Sequence, residues 1–315
     1  MKGRNGLAAV LLIAAAGSAV LYVQSGDRFS GVQPAIEDDS ESPAEIRDYG
    51  ELDYSTEQLL DQAYALKGIP FESGGKEPGT GFNSSGFVQY VFQEATGIRM
   101  PRIAAHQNDL GDNIPFDDLI PGDLVFFKNE SLMSGIYMGD GEFMTVSLSG
   151  GTEILSFEKD RFWTEHFAGA RRLTEEEKEA LHPSTYSGHD HPAVKEAVQY
   201  LDTPYLFGGT DREGLDCSFL VQEVFRESLG VYLPRVSRDQ FRVGENVALD
   251  DLQAGDVLYF SDIDSAKVET AGQVTHTGIY LGNDFMIHAS RTEEMTQISY
   301  LNDYWNEAFT GARRF

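Results

Sequence analysis

The only cysteine of the chain, Cys217, and two downstream histidines, His276 and His288, are the residue types that acyl transfer needs. A cysteine attacks a carbonyl as its thiolate, and an imidazole partner takes up the proton and returns it. A third group commonly orients that imidazole, as in catalytic triads. The sequence therefore predicts Cys217 as a nucleophile, His276 as its general base and His288 as the residue that orients the base.

The residues around Cys217 predict that it begins a helix. Asp216 suits the N-cap position, and apolar residues recur at helical spacing through SFLVQEVFRESLG until Gly230 ends the pattern. The partial positive charge of a helix N-terminus favours a thiolate and lowers the pKa of a cysteine, and the N–H groups there can hold a developing oxyanion. We therefore expect Asp216 and Ser218 beside the nucleophile, either as capping residues or in contact with the substrate.

The two histidines fall in strand-like segments, HTGIYLG and FMIHAS. If these segments are adjacent antiparallel strands, the side chains of His276 and His288 come together and one ring can orient the other. Helical patterns precede the strand patterns along the chain. That order predicts an α+β fold with helices packed on a mostly antiparallel sheet.

An earlier stretch repeats the pattern without its chemical groups. The motifs FESGGKEPGTGFNSS, MSGIYMG, FMTVS and GARRL precede YLFGGTDREGLDCS, HTGIYLG, FMIHAS and GARRF. The functional positions differ, with Phe71 opposite Tyr205, Asn83 opposite Asp216, Ser84 opposite Cys217, Met133 opposite His276 and Thr145 opposite His288. A serine without a base is a poor nucleophile. The sequence therefore predicts two domains of one fold, of which the first is a pseudoenzyme that serves binding, positioning or regulation.

Composition divides the chain into five predicted segments. They are a signal anchor or signal peptide at 1–26, an acidic spacer at 27–54, a degenerate domain at 55–173, a linker at 174–191 and a catalytic domain at 192–315. The apolar run that follows Lys2 and Arg4 is either a signal peptide or a membrane-spanning helix. Its length favours an uncleaved anchor with the rest of the chain exported. A single cysteine in an exported chain forms no internal disulfide and is either buried or reactive.

The charge of the chain excludes some partners. The 51 acidic residues outnumber the 24 basic ones, and the formal net charge of -27 argues against nucleic acid and against adhesion to anionic lipid. We therefore expect membrane contact only through the N-terminal segment. His182, His189 and His191 cluster in the linker without a cysteine or a suitable set of carboxylates, so we predict neither a metal site nor a cofactor. The sequence leaves the oligomeric state open.

The second domain resembles the NlpC-type family of papain-like cysteine peptidases, which are bacterial cell-wall endopeptidases. The matching motifs are PYLFGG, LDCS, LPRVS, the Gly-Asp before VLYF, HTGIYLG and FMIHAS, and residues 55–173 match more weakly. The resemblance implies two tandem papain-like domains. It assigns the nucleophile to Cys217, the base to His276 and the orienting role to His288, and it places Tyr205 close to the nucleophile.

The resemblance also implies a substrate and a location. The expected reaction is hydrolysis of peptidoglycan stem peptides through a thioester, at the bond between γ-D-glutamate and the diamino acid, in the cell envelope or outside it. Two alternatives stay open: an amidase or acyltransferase acting on another cell-wall amide, and a non-catalytic wall-binding or scaffold protein. Phe219 stands where the family usually has Gly, and an insert that includes DSAKVETAGQ precedes His276. We expect this insert to form a lip over the cleft.

Overall fold

The computed structural model describes residues 55–261 and 273–315. The predicted signal anchor, the acidic spacer and the insert before His276, apart from Gln273, lie outside the described residues. Within the described ranges, no helix combines the length and the apolar character that crossing a membrane requires.

The described residues form two copies of one arrangement, joined by a connector. The first copy contains, in chain order, α1 (Thr56–Ala65), β1 (Lys76–Glu77), β2 (Gly81–Phe82), α2 (Ser84–Thr96), α3 (Ala104–Asn108), β3 (Asp112–Asn113), β4 (Leu124–Lys128), β5 (Leu132–Gly139), β6 (Glu142–Ser147), β7 (Gly151–Ser156), α4 (Arg161–His166) and β8 (Phe167–Arg172). The connector contains α5 (Glu175–Ala180) and a 3-10 turn (Pro183–Tyr186).

The second copy repeats this order. It contains α6 (Pro192–Val198), β9 (Thr210–Asp211), β10 (Gly214–Leu215), α7 (Cys217–Leu229), α8 (Ser237–Gln240), β11 (Glu245–Val247), β12 (Val257–Ser261), β13 (Val274–Gly282), β14 (Phe285–Ser290), β15 (Met295–Tyr300), α9 (Asp303–Ala308) and β16 (Phe309–Arg314). Further 3-10 turns lie at Phe116–Asp118 and Leu249–Asp251.

Each copy is built on a six-stranded sheet whose strands follow the same spatial order. The order is β3-β8-β4-β5-β6-β7 in the first copy and β11-β16-β12-β13-β14-β15 in the second. All pairings in these sheets are antiparallel. The predicted α+β class with an antiparallel sheet is confirmed.

Both faces of the second sheet are covered, as the side chains of β12 show. Val257 and Tyr259 belong to the main core under the helices, whereas Leu258 and Phe260 belong to a separate cluster with Trp305 of α9. Successive strand residues point to opposite faces. The near-continuous apolar run VLYF therefore indicates a strand that is buried on both sides.

The connector is part of the folded core. We predicted residues 174–191 as a linker from their charge, Gly and Pro. Thr174 and Glu177 form a capping box at the start of α5, and Leu181 and Tyr186 are buried in a core cluster that includes residues of both copies. The two copies and the connector form one compact unit by their contacts. The predicted domain boundaries stay predictions.

The strand registers show which residues occupy equivalent positions in the two sheets. Phe260 of β12 pairs with His276, and Phe127 of β4 pairs with Met133. Each of these pairs lies three residues along from the pair that opens its ladder, Val257 with Ile279 and Leu124 with Ile136. Met133 therefore occupies the framework position of His276.

The second histidine is located by the next strand pair. Ile287, the residue before His288, pairs with Ile279, and Met144, the residue before Thr145, pairs with the equivalent isoleucine of β5. His288 and Thr145 therefore share a framework position, although aligning the two Phe-Met motifs would shift the match by one residue.

Candidate active site

Cys217 lies at the N-terminus of α7, as the sequence predicts. It is the first residue of the helix and is 7% exposed. Asp216 is the N-cap, and its carboxylate accepts the backbone N–H of Phe219 at 2.8 Å. The thiol is therefore held where the partial positive charge of the helix end favours a thiolate.

The carboxylate of Asp216 joins three segments around the helix start. Oδ1 accepts from Phe219, from the hydroxyl of Ser218 at 3.0 Å and from Arg235 at 2.8 Å. Oδ2 accepts from Arg235 at 2.8 Å and from the backbone N–H of Gly208 at 3.1 Å. Since both oxygens are engaged and Asp216 is 8% exposed, we interpret Asp216 and Ser218 as positioning residues. Their predicted contact with substrate stays a prediction.

Arg235 and Gln240 complete this support, and the sequence reasoning missed both. The amide nitrogen of Gln240 donates to the carbonyl oxygens of Ser218 at 2.9 Å and Pro234 at 2.8 Å. The guanidinium of Arg235 also lies 5.4 Å from the ring centroid of Phe219, the residue that departs from the family pattern. The Pro-Arg pair repeated in both copies was the available signal for Arg235.

Tyr205 lies beside the helix start along the backbone. It forms a parallel bridge with Leu215, two residues before Cys217. Its N–H donates to the carbonyl oxygen of Glu294 at 2.9 Å, and its half-buried side chain packs against the main core. The turn after β14 is thereby tied to the segment that carries Tyr205.

The two histidines come together on adjacent strands. Nε2 of His276 lies 2.8 Å from Nδ1 of His288, and each residue is 1% exposed. Nε2 of His288 lies 2.9 Å from the hydroxyl of Ser299, to which the amide nitrogen of Gln297 donates at 2.9 Å. A buried polar chain of four side chains therefore leads from His276 to β15.

One distribution of protons along this chain makes His276 a base. If Nε2 of His288 donates to Ser299, its Nδ1 accepts from Nε2 of His276, and Nδ1 of His276 is left unprotonated. Ser299 and Gln297 were missed by the sequence reasoning. Gln297 and Ser299 are two residues apart on the strand after the FMIHAS motif, and this spacing places them on one face. Recognising that they face His288 requires the register between the two strands.

The surroundings of the histidines are apolar. The ring of Trp305 lies 5.5 Å from His276 and 5.0 Å from His288 between centroids, and Phe260 lies 6.2 Å from His276. Burial lowers the pKa of His276 to about 3, although the nearby charge of Asp216 acts in the opposite direction. Burial, followed by the charge of His276, also lowers the pKa of His288 well below its usual value. Both rings are therefore neutral at pH 7.

The helix that begins at Cys217 lies next to the strand that carries His276. Helix α7 packs against β13, and the charge of Asp216 is within reach of His276. In the first copy, five of the six framework positions of the predicted site residues line one cavity, namely Phe71, Asn83, Ser84, Ser85 and Met133, whereas Thr145 is not among the lining residues. The approach of Cys217 to His276 in the second copy stays a prediction.

The histidines of the connector accept backbone N–H groups, and two of them, His182 and His191, cap the starts of helical segments. The side chain of His182 accepts the N–H of Ser184, that of His189 accepts the N–H of His191, and that of His191 accepts the N–H of Ala193. Across residues 55–261 and 273–315, no cluster of three or more His, Cys, Asp or Glu side chains is arranged to hold a metal ion.

The chain belongs to the NlpC/P60 family. The family model matches residues 68–172 and again residues 202–314. The two matches fall on the two copies described above, and the predicted family is confirmed.

Curated relatives act on peptides of the bacterial cell wall or on γ-glutamyl bonds, according to their names. The chain is 41% identical over 273 residues to a Gamma-DL-glutamyl hydrolase of Bacillus subtilis. The matched region covers 84% of this chain and 62% of that protein. It is 35% identical over 119 residues to the Murein DD-endopeptidase MepS/Murein LD-carboxypeptidase of Escherichia coli, covering 37% of this chain and 59% of that protein. It is 32% identical over 127 residues to a Gamma-D-glutamyl-L-lysine dipeptidyl-peptidase of Bacillus subtilis, covering 40% of this chain and 41% of that protein. The chain thus spans less than two thirds of each of these three proteins.

Proposed function

We propose that the second copy is a cysteine peptidase that hydrolyses the γ-D-glutamyl–diamino acid bond of peptidoglycan stem peptides. The observation that carries this proposal is the buried chain from His276 through His288 to Ser299, next to a helix that begins at Cys217. Two of the relatives are named for γ-glutamyl bonds, which supports the choice of bond.

The reaction proceeds through a thioester. Cys217 attacks the γ-carbonyl carbon of the glutamyl residue while His276 takes the thiol proton, and the oxyanion forms near the N-terminus of α7. The C–N bond then breaks as His276 delivers its proton to the leaving amine. In the second half, His276 accepts a proton from water as the oxygen attacks the thioester carbon. The C–S bond then breaks, His276 returns the proton to the sulfur, and the product leaves with a free γ-carboxylate.

His288 and Ser299 act through His276 in this proposal. A neutral His276 accepts a proton on Nδ1 only if its Nε2 carries the other hydrogen, and the acceptor at Nδ1 of His288 fixes that hydrogen. The imidazolium that forms is stabilised by the same hydrogen bond. Tyr205 lies beside the start of α7 along the backbone, and we propose that it contacts the substrate.

The first copy is non-catalytic in this proposal. Its Ser84 has a methionine, Met133, at the position of the base and Thr145 at the position of the orienting residue.

The proposed substrate implies a location for the whole protein. A peptidoglycan peptidase acts in the cell envelope, so we propose export, with residues 1–26 acting as an anchor or as a cleaved signal.

Cleavage of another amide is the second candidate. The resemblance to a relative named as a DD-endopeptidase favours a cross-bridge bond as the alternative. The same catalytic residues serve both reactions, because the choice of bond depends on the groove rather than on the thiol and imidazole.

Fragment masses distinguish these candidates. The full chain and its Cys217→Ala variant are incubated with purified disaccharide tetrapeptide and with its cross-linked dimer, and the products are weighed by mass spectrometry. We expect the wild type to release a fragment that ends at γ-D-glutamate, and the variant to release none. A dimer cut at the cross-bridge with the D-glutamyl–diamino acid bond intact contradicts the leading proposal and supports the alternative.

A further inference from the structure

A cavity of about 840 Å³ opens in the first copy, over the positions that hold the nucleophile and the base in the second. Ser84 and Met133 line it, together with the apolar side chains of Phe71, Leu132 and Leu148. The cleft of the degenerate copy has therefore lost its reactive groups but not its room for a ligand of peptide size.

The cavity carries more positive charge than the chain as a whole would predict. Lys76, Arg102 and Lys128 line it in a protein with twice as many acidic as basic residues. In the second copy, Arg235 is neutralised by two hydrogen bonds to a carboxylate, that of Asp216.

Arg102 has no such partner in the first copy. Its guanidinium donates to the side-chain oxygen of Asn83 at 2.9 Å, to the hydroxyl of Ser85 at 3.3 Å and to the carbonyl oxygens of Gly74 and Gly75 at 2.7 and 3.3 Å. Within the described residues, no carboxylate hydrogen-bonds to this guanidinium. Asn83 therefore keeps the cap of the helix start. Arg102 has no carboxylate paired to it by hydrogen bonds, and the charges of Glu293 and Glu294 act on it only from nearby, so a ligand carboxylate can still pair with this guanidinium.

Acidic residues of the second copy also line the cavity, and one of them contacts the segment that carries Arg102. Thr292, Glu293 and Glu294, in the turn between β14 and β15, line the cavity. Glu293 is 2% exposed and accepts from the backbone N–H of Arg102 at 2.8 Å, and it lies 2.9 Å from Nδ1 of His106. Glu293 thus links the two copies at the cavity, and the exposed Glu294, with Glu130 of the first copy, supplies negative charge to a ligand.

We propose that this first-copy cleft binds a stem peptide and does not cut it. The proposal rests on the proposed function for the identity of the peptide class. A stem peptide carries carboxylates at γ-D-glutamate and at its C-terminus and an amine on its diamino acid. The cavity lining combines the cations Lys76, Arg102 and Lys128 with the carboxylates of Glu130, Glu293 and Glu294 and with apolar side chains. This mixture fits the mixed charge and the extended backbone of such a peptide.

The cleft does not hydrolyse what it binds, because the proton-transfer groups are missing. The hydroxyl of Ser84 accepts the N–H of Ser134 at 3.4 Å, and Thr145 donates its hydroxyl hydrogen to the carbonyl oxygen of Ser134 at 2.7 Å. Neither contact removes a proton from Ser84. Binding without turnover would keep the second copy close to its polymeric substrate, which raises the effective substrate concentration.

A fluorophore at the rim of the cleft tests the proposal. Leu148 is 82% exposed and lines the cavity, so Leu148→Cys in a Cys217→Ala chain gives a single thiol for labelling. The probe is the tripeptide L-Ala-γ-D-Glu-L-Lys. We expect a saturable fluorescence change, weakened by about tenfold or more in a Lys76→Glu, Lys128→Glu double variant.

Two controls locate the effect. A Lys67→Glu, Lys159→Glu double variant changes charge equally on exposed lysines that do not line the cavity, and the binding curve should not move. A label at Tyr232→Cys, which is also 82% exposed but in the second copy, should not respond. Thermal melts confirm that each variant is folded.

The outcomes separate this proposal from the proposed function. The first-copy site is overturned if the label at position 148 shows no fluorescence change with the tripeptide. It is also overturned if the Lys76→Glu, Lys128→Glu variant responds as strongly as the Lys67→Glu, Lys159→Glu control. If the wild type cuts no stem peptide but the labelled chain responds as expected, the proposed function fails and the binding site stands. If the wild type cuts the peptide and the label stays silent, the reverse holds.

Discussion

The two copies share a framework and differ in what that framework carries. Asp123 pairs with Arg172 and Asp256 pairs with Arg314, in both cases through two hydrogen bonds of 2.7 to 2.8 Å, and both carboxylates are 2% exposed. A buried carboxylate that lost its arginine would be strongly destabilising. The same ion pair thus stabilises both copies without involving the predicted site residues, so the framework can be kept while those residues differ.

One difference between the copies lies in the sheet, beside a cluster of aromatic rings. In the first copy, Met133 packs beside a cluster of aromatic rings that includes Phe127 and Trp163. In the second, the histidines stand at the equivalent place beside Phe260 and Trp305. A buried polar group that loses its hydrogen-bond partner costs about 1–3 kcal/mol, so a change at one member of the polar chain also weakens its neighbours.

The largest expected effect comes from matched changes at the two helix starts. Cys217→Ala removes the nucleophile and should abolish peptide cleavage, by a factor on the order of 10³ or more. Ser84→Ala makes an equivalent change in the first copy and should leave kcat within about twofold, since we assign Ser84 no proton-transfer partner. Turnover of a soluble stem peptide measures both. A large loss of kcat in the Ser84 variant would contradict the assignment of chemistry to one copy.

The next effect comes from giving the second copy the first copy's residue at the base position. His276→Met should lower kcat about 10²- to 10⁴-fold, because a positioned base contributes that much. Methionine already fits this framework position in the first copy, so the variant should fold. Added imidazole should restore part of the activity, and an unchanged kcat in the variant would exclude His276 as the base.

A smaller effect is expected further along the polar chain. Ser299→Ala removes the acceptor for Nε2 of His288 and should lower kcat by roughly three- to tenfold, with little change in KM. The acidic limb of the pH profile should shift as well, because the tautomer of His288 is no longer fixed. A change confined to thermal stability would indicate a purely structural role for Ser299.

The sequence predicted those parts of the fold and site that depend on local pattern. Asp216 and Gly230 predicted the limits of the helix that begins with Cys217, and the motif order predicted the antiparallel sheet. The proximity of His276 and His288 followed from assuming that their strands are neighbours. These features depend on residues close together in sequence, where spacing and capping chemistry are informative.

Other parts depended on contacts that no local pattern contains. The roles of Ser299 and Gln297 require the register between β14 and β15. The burial of the connector, which we predicted as a linker, depends on apolar residues such as Leu181 meeting the core of both copies. The contact of Glu293 with His106 joins residues from the two copies, and single-sequence reasoning had no signal for it.

The smallest expected effect concerns acid stability. The pKa of His276 is about 3 in the folded protein and near 6.5 in the unfolded chain, so between these pH values the unfolded chain binds more protons. The free energy of unfolding should therefore fall as the pH falls from 6.5 toward 3. A His276→Met, His288→Thr variant, which carries the residues of the first copy, should lose less stability over that range. Urea unfolding at pH 7 and pH 4 measures this, and equal losses in both proteins would contradict the lowered pKa values.

The central claim is that the histidine chain, rather than the helix start alone, activates the thiol of the second copy. Cys217 and Ser84 are 7% and 8% exposed at equivalent helix positions, so a Cys217→Ala, Ser84→Cys chain places a matched thiol where the histidines are absent. The rate of alkylation by iodoacetamide is measured against pH in this chain and in the wild type. We predict that the wild-type thiol reacts at least about tenfold faster near neutral pH. Equal rates and equal pH dependence in the two chains would contradict the claim.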